Sequence, residues 1–182
     1  VLPGIRDEND RKRAMDELPQ SAEGKTIMTT EPKFIPKEAV KINLFDGNDI
    51  KVRMVDCVGY IVDSSLGYVE DNEPRMVTTP WFDHPIAFNE AAEIGTKKVI
   101  CEHSTIGLVV TTDGTITEID RNDYVDAENR VINELKAINK PFIVLLNSVA
   151  PNSQNTQNLK AELETKHGVP VVAVNCEELN AT

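Results

Sequence analysis

Three short apolar runs, 106–111 (Ile-Gly-Leu-Val-Val-Thr), 142–146 (Phe-Ile-Val-Leu-Leu) and 169–174 (Val-Pro-Val-Val-Ala-Val), constrain this chain more than any other feature. Each is of strand length and lacks polar alternation, the pattern of a strand covered on both faces of a parallel sheet. Segments of helical period separate them. Residues 122–138 place Val125, Ile132, Leu135 and Ile138 on one face, and 154–167 predicts another helix. A helix over 88–103 carries Phe88, Ala91, Ala92, Ile94, Val99 and Ile100 at mostly helical spacing. Such alternation predicts an α/β sheet, mostly parallel.

Upstream, strands at 39–46 and 50–55 flank Asp46-Gly47-Asn48-Asp49, and the pair reads as an antiparallel hairpin at one edge. In its second strand Ile50, Val52 and Met54 are expected inward, Lys51 and Arg53 outward. Residues 7–18 suit a charged helix that Pro19 ends, and 19–38 form a loop rich in Thr, Pro and Lys. Residues 60–87 have no clear period, and a loop of that length is usually functional or mobile. Trp81 and Phe82 are expected to anchor it to the core.

The 182 residues suffice for one domain with a sizeable core. A formal net charge of −11 argues against nonspecific binding to nucleic acid or anionic membrane. No apolar stretch reaches membrane-span length, and the N-terminus lacks a signal-peptide layout. Cys57, Cys101 and Cys176 show no C-x-x-C spacing, which fits a reducing compartment, and the scattered His84, His103 and His167 predict no zinc site. Val1 is not an initiator methionine, so the chain is expected to be an internal piece of something longer.

The 50–55 strand runs into Asp56-Cys57-Val58-Gly59, a D-x-x-G sequence. In P-loop NTPases a carboxylate at that strand tip organises Mg²⁺, and the glycine N–H faces the γ-phosphate. An ordinary strand-end turn explains the same four residues. Thr29 and Thr30 lie in the loop before the hairpin, where nucleotide switches place a threonine that ligates Mg²⁺ and meets the γ-phosphate. Solvated loop threonines are the alternative. Gly24-Lys25-Thr26 is not a phosphate loop, because Pro19 stands where G-x-x-x-x-G-K-[ST] needs its first glycine, and a charged helix precedes it. Asn147-Ser148-Val149-Ala150 sits where a GTPase carries its guanine-reading [NT]-K-x-D. Asn147 fits a nucleotide contact or a turn cap, whereas Ser148 and Ala150 remove the Lys and Asp, so strong guanine preference is not expected. Thr111-Thr112-Asp113-Gly114 lies at the carboxyl end of a strand, where α/β ligand sites form, and a D-G turn accounts for it equally.

Longer strings carry a resemblance. Residues 18–22 and 24–34, 55–60 (Val-Asp-Cys-Val-Gly-Tyr), 90–96, 103–107 and 111–115 are similar to the stage IV sporulation protein A family of endospore-forming bacteria, over nearly the whole chain. The resemblance implies a cytoskeleton-like ATPase with a P-loop NTPase fold derived from translation-factor GTPases. Such a protein uses ATP and Mg²⁺ and hydrolyses ATP to polymerise at the forespore surface, in the mother-cell cytoplasm, as the base layer of the spore coat. It implies Asp56 as the Mg²⁺-organising acid, Gly59 as the phosphate-sensing backbone, and Thr29 and Thr30 as switch threonines, Thr30 also toward the metal. Residues 1–182 would be a partial NTPase domain comprising a switch loop at 19–38, the D-x-x-G strand at 50–59 and an insertion at 60–87.

The resemblance also implies that the phosphate loop and its strand lie upstream of Val1, so this piece alone is expected to be inactive. Partners would be further copies of itself, with coat proteins and a small amphipathic membrane-surface peptide contacting regions beyond Thr182; nucleic acid is not expected. A non-catalytic assembly fragment and a GTPase relative are the competing readings. On a translation-factor topology the missing strand is central, between the 50–55 and 106–111 strands. The slot is then expected to be filled by a separate peptide or a strand from another copy, or else closed by collapse of its neighbours.

Overall fold

The computed structural model describes residues 8, 9, 11, 12, 33–44, 47–62, 64–70 and 72–179, with backbone alone at 33 and 35–37. Thr29, Thr30 and Gly24-Lys25-Thr26 therefore lie outside the described residues.

The first two strands, β1 (Lys33–Asn43) and β2 (Asp49–Asp56), pair antiparallel, with a register shift between Ile35 and Val40. Leu44 N donates to Asn48 O across the turn, and Gly47 there takes φ +81°, a conformation open to glycine at little cost. The 60–87 segment is not structureless as expected. It holds two short antiparallel pairs, β3 (Val69–Glu70) with β4 (Glu73–Pro74), and β5 (Met76–Val77) with β6 (Ile86–Ala87). Its anchor also differs from expectation. Arg75 stacks over the fully buried Phe88 at 4.1 Å, while Trp81 lies 5.9 Å from the Lys98 ammonium and Phe82 is exposed.

Phe88 opens α1 (Phe88–Lys98), which continues as a π-helical turn through Val99–His103. Then β7 (Gly107–Thr112), α2 (Val125–Ala137), β8 (Phe142–Asn147), α3 (Gln154–His167) and β9 (Val171–Val174) follow in the predicted alternation. The strands β7, β8 and β9 form a parallel sheet in that order. Ile132 and Leu135 of α2 and Leu163 of α3 pack on Val109, Val144, Leu146 and Val171, with Ile100 at the margin. At the start of α3 the Ser153 hydroxyl accepts from Thr156 N at 3.2 Å, and Gly168 ends the helix at φ +62°, so both boundaries follow from local chemistry.

Two expectations need correction. The β1–β2 hairpin is not an edge of the parallel sheet but a two-stranded sheet of its own. Among the described residues the slot between β2 and β7 is neither collapsed nor filled: a cavity of about 800 Å³ lies there, lined by both strands and by α1 and α2. Side chains expected to be covered are consequently open to it or to solvent. Ile50 (41 %), Met54 (49 %), Leu108 (51 %) and Val110 (59 %) remain substantially exposed, although Val109 and Thr111 on the opposite face of β7 are buried. Among the described residues no helix is long and apolar enough to cross a membrane.

Candidate functional site

The D-x-x-G residues lie on the wall of that cavity. Asp56 closes β2, and Asp56, Cys57, Val58, Gly59 and Tyr60 all line the space, with Thr111 of β7 contributing from its own carboxyl end. Gly59 takes φ +80°, and a Cβ built there would meet no atom within 4 Å. A positive φ of this kind is open to glycine at little cost. Thr111 is buried and its hydroxyl has no hydrogen-bond partner, a buried polar atom left available beside the cavity. Burial pushes the Cys57 thiol pKa up and outweighs the Gly59 backbone N–H and Thr96 hydroxyl that oppose it, so the thiol stays neutral and poorly nucleophilic.

The sequence-predicted residues are only partly brought together. Asp56 and Gly59 share the cavity wall, whereas Asn147 sits at the tip of β8 and is used in a structural tie. Its amide oxygen accepts from Cys176 N at 2.9 Å, joining β8 to the segment after β9.

A second, smaller pocket of about 280 Å³ is lined by Asp113, Thr115, Ser148, Ala150, Asn155 and Thr156 among others. Thr156 is buried, and its hydroxyl lies 2.8 Å from both Asp113 Oδ2 and Ser153 Oγ, and 3.2 Å from Ser148 Oγ and Ala150 O. Burial pushes the Asp113 carboxyl up, but hydrogen bonds from Ser148, Thr115 and Thr156 outweigh it and hold its pKa below the usual range. Asp113 is the one carboxylate in this lining, and the hydroxyls occupy it. Ser148 is fully buried. Neither residue offers guanine the acceptor that the altered [NT]-K-x-D motif lacks, so this pocket is a tie between loops.

Sequence reasoning missed the groups that hold the D-x-x-G loop. Tyr60 contacts Glu134 and Arg130, and Arg130 in turn pairs with Glu93. The spacing of Arg130 and Glu134 four apart on a helix was visible as a local pair, but nothing in it pointed to Tyr60. Among the described residues no group of three or more His, Cys, Asp or Glu side chains is placed to hold a metal ion. A lone carboxylate such as Asp56 suits Mg²⁺, which keeps most of its waters and takes further oxygens from phosphates, better than it suits a cation needing a protein-built cage.

Comparison with known proteins bears on the whole chain. The family model described as stage IV sporulation protein A, ATPase domain, matches residues 1–182. Stage IV sporulation protein A of Bacillus anthracis is 56 % identical over 182 residues, all of this chain and 37 % of the relative. The Bacillus subtilis (strain 168) protein of the same name is 57 % identical over 179 residues, and the Clostridioides difficile (strain 630) one 54 % over 179, each across 98 % of this chain and 36 % of the relative. The chain thus spans little more than a third of the length of the relatives it matches. No solved structure matches it. The chain belongs to the stage IV sporulation protein A family, whose ATPase-domain model matches it over residues 1–182.

Proposed function

We propose that this chain is the core of a nucleotide-hydrolysing domain in a longer sporulation protein, which binds ATP with Mg²⁺ at the β2–β7 cavity. The observation that carries the proposal is the placement of Asp56 and Gly59, the latter at positive φ, on one wall of an 800 Å³ space, with the unpartnered Thr111 hydroxyl nearby. A family description naming an ATPase domain over all 182 residues supports it. Asp56 holds the metal's water shell in place, and the Gly59 N–H donates to the γ-phosphate. Thr29 and Thr30 register that phosphate and promote hydrolysis, with Thr30 also a residue for the metal. Asn147 stands on the nucleoside side. Bound Mg²⁺ would supply charge neutralisation at the β- and γ-oxygens.

An open slot counts against a translation-factor topology for residues 1–182 by themselves, so the proposal requires a further strand there. A parallel strand inserted between β2 and β7 from a part of the protein outside residues 1–182 would satisfy both strand edges, and a phosphate loop following it would end beside Asp56 and Gly59. The fold is then of the P-loop type resembling translation-factor GTPases. In the cell, ATP turnover drives self-assembly on the forespore surface from the mother-cell side, with coat proteins and a membrane-surface peptide engaging other regions. ATP is favoured over GTP because Ala150 provides no carboxylate for guanine, Ser148 is buried and Asp113 is engaged by neighbouring hydroxyls.

The test is turnover of ATP and GTP by the full-length protein and its Asp56→Ala variant. ATP hydrolysis that falls at least about a hundredfold in the variant, with GTP much the poorer substrate, is the expected result. Equal turnover by parent and variant would remove Asp56 from the site.

A further inference from the structure

The loop after Gly59 is fastened to two helices by side chains that no motif announces. The Tyr60 hydroxyl donates to Glu134 Oε2 on α2. The Arg130 guanidinium, one turn earlier on α2, lies 4.0 Å from the Tyr60 ring centroid. Arg130 also forks onto both carboxylate oxygens of Glu93 on α1, at 2.9 Å each, and reaches Glu134 at 3.4 Å. Four residues further along the loop, the Ser64 hydroxyl donates to Asp123 in the turn ahead of α2. The segment is therefore held at Tyr60 and at Ser64, and both ties lead to α2 or its approach.

Magnitudes decide which tie matters. Arg130 and Glu93 are nearly half exposed, and an ion pair of that kind alone contributes little. Tyr60 is half-buried and donates to a charged acceptor, a stronger class of hydrogen bond, while its ring face holds the cation. Burial, followed by the hydrogen bond to Glu134, pushes the Tyr60 phenol pKa well up, so it remains a donor throughout the neutral range. Gly59, one peptide away, has open space around its Cβ position. The Gly59 backbone N–H lies toward the Cys57 thiol on one side, and the adjacent tyrosine fastens the loop on the other.

We propose that Tyr60 is a positioning residue for the Gly59 peptide, latched by Arg130, Glu93 and Glu134, and that this latch sets how far the site prefers nucleotides bearing a γ-phosphate. The second half rests on the nucleotide site proposed above. Release of the latch frees the Gly59 N–H to turn away from the γ-phosphate while leaving contacts to the rest of the nucleotide in place.

The experiment uses the full-length protein with Tyr60→Phe, Arg130→Gln and the conservative Arg130→Lys. Without nucleotide, amide hydrogen exchange across residues 57–64 should quicken about tenfold in Tyr60→Phe and Arg130→Gln, the effect of one lost charge-assisted hydrogen bond, with α2 unchanged. Arg130→Lys should recover part of the protection. The ratio of dissociation constants for ADP and for a non-hydrolysable ATP analogue should fall by a similar factor, with ADP affinity itself steady. Unchanged exchange overturns the latch. Faster exchange with an unchanged ratio makes Tyr60 merely structural and overturns the proposal as well. If the parent binds neither nucleotide, the nucleotide site is what fails, and the exchange result alone decides whether Tyr60 positions the loop.

Discussion

Asp56 and Gly59 were legible as a pair because D-x-x-G is four consecutive residues at the end of one alternating strand. What surrounds them was not. Tyr60 meets Glu134 across 74 positions and Thr156 meets Asp113 across 43, and no spacing rule records such contacts. The Thr156 hydroxyl is the clearest case of a residue whose importance appears only in three dimensions. Thr156→Val keeps the shape but strips a donor from Asp113 and leaves neighbouring hydroxyls short of a partner, which should cost about 1–3 kcal/mol in urea unfolding. A change under about 0.5 kcal/mol would show the cluster to be slack.

Two residues make stability depend on acid. His167 is buried, and that burial first, then Lys166 and Lys136, pulls its pKa below the ordinary 6.5 despite the opposing Glu128. The unfolded chain then binds the proton more readily, so stability falls as pH drops below about 6.5 toward the lowered folded value. Asp113, with its folded pKa also lowered, contributes stability that is present above about 3.9 and is lost as pH falls through the folded value. Thermal unfolding from pH 7.5 to 4 should therefore show a decline beginning near 6.5, which His167→Gln flattens.

At the level of elements, β7-α2-β8-α3-β9 was legible because short unbroken apolar runs alternate with helical segments that have local stops. Ser153 and Gly168 delimit α3 where the sequence placed it. The two-residue pairs of the 60–87 segment were hidden because periodicity cannot register strands that short. The early start of β1 was hidden because its pairing resumes across a bulge. The alternating β2 and the apolar β7 misled in the same way, since Ile50, Met54, Leu108 and Val110 beside the cavity stay exposed whatever the composition of the strand. Element packing also explains one glycine. A Cβ at Gly107 would lie 3.0 Å from Phe142 Cβ and 3.1 Å from Leu135 Cδ2, inside the contact of β7 with β8 and α2. Gly107→Ala should destabilise by about 1 kcal/mol or more, measured by denaturant unfolding, because Leu135 is buried and has little room to yield.

Over the whole molecule, the β1–β2 pair and the β7–β8–β9 sheet both border the cavity, and among the described residues β2 and β7 are not paired with each other across it. Unpaired strand edges recruit other strands. Residues 1–182 produced alone should therefore self-associate or bind a hydrophobic dye, and should show no ATP turnover, whereas the full-length protein should turn ATP over. Full turnover by the short piece would mean that its own residues complete the phosphate cradle. The most direct measurement is an experimental structure of the full-length protein with Mg²⁺ and a non-hydrolysable ATP analogue. The account predicts a strand between β2 and β7, the γ-phosphate within hydrogen-bonding distance of Gly59 N, and Asp56 in the metal's water shell. A nucleotide bound away from Asp56 and Gly59, or β2 and β7 paired directly with each other, would contradict it.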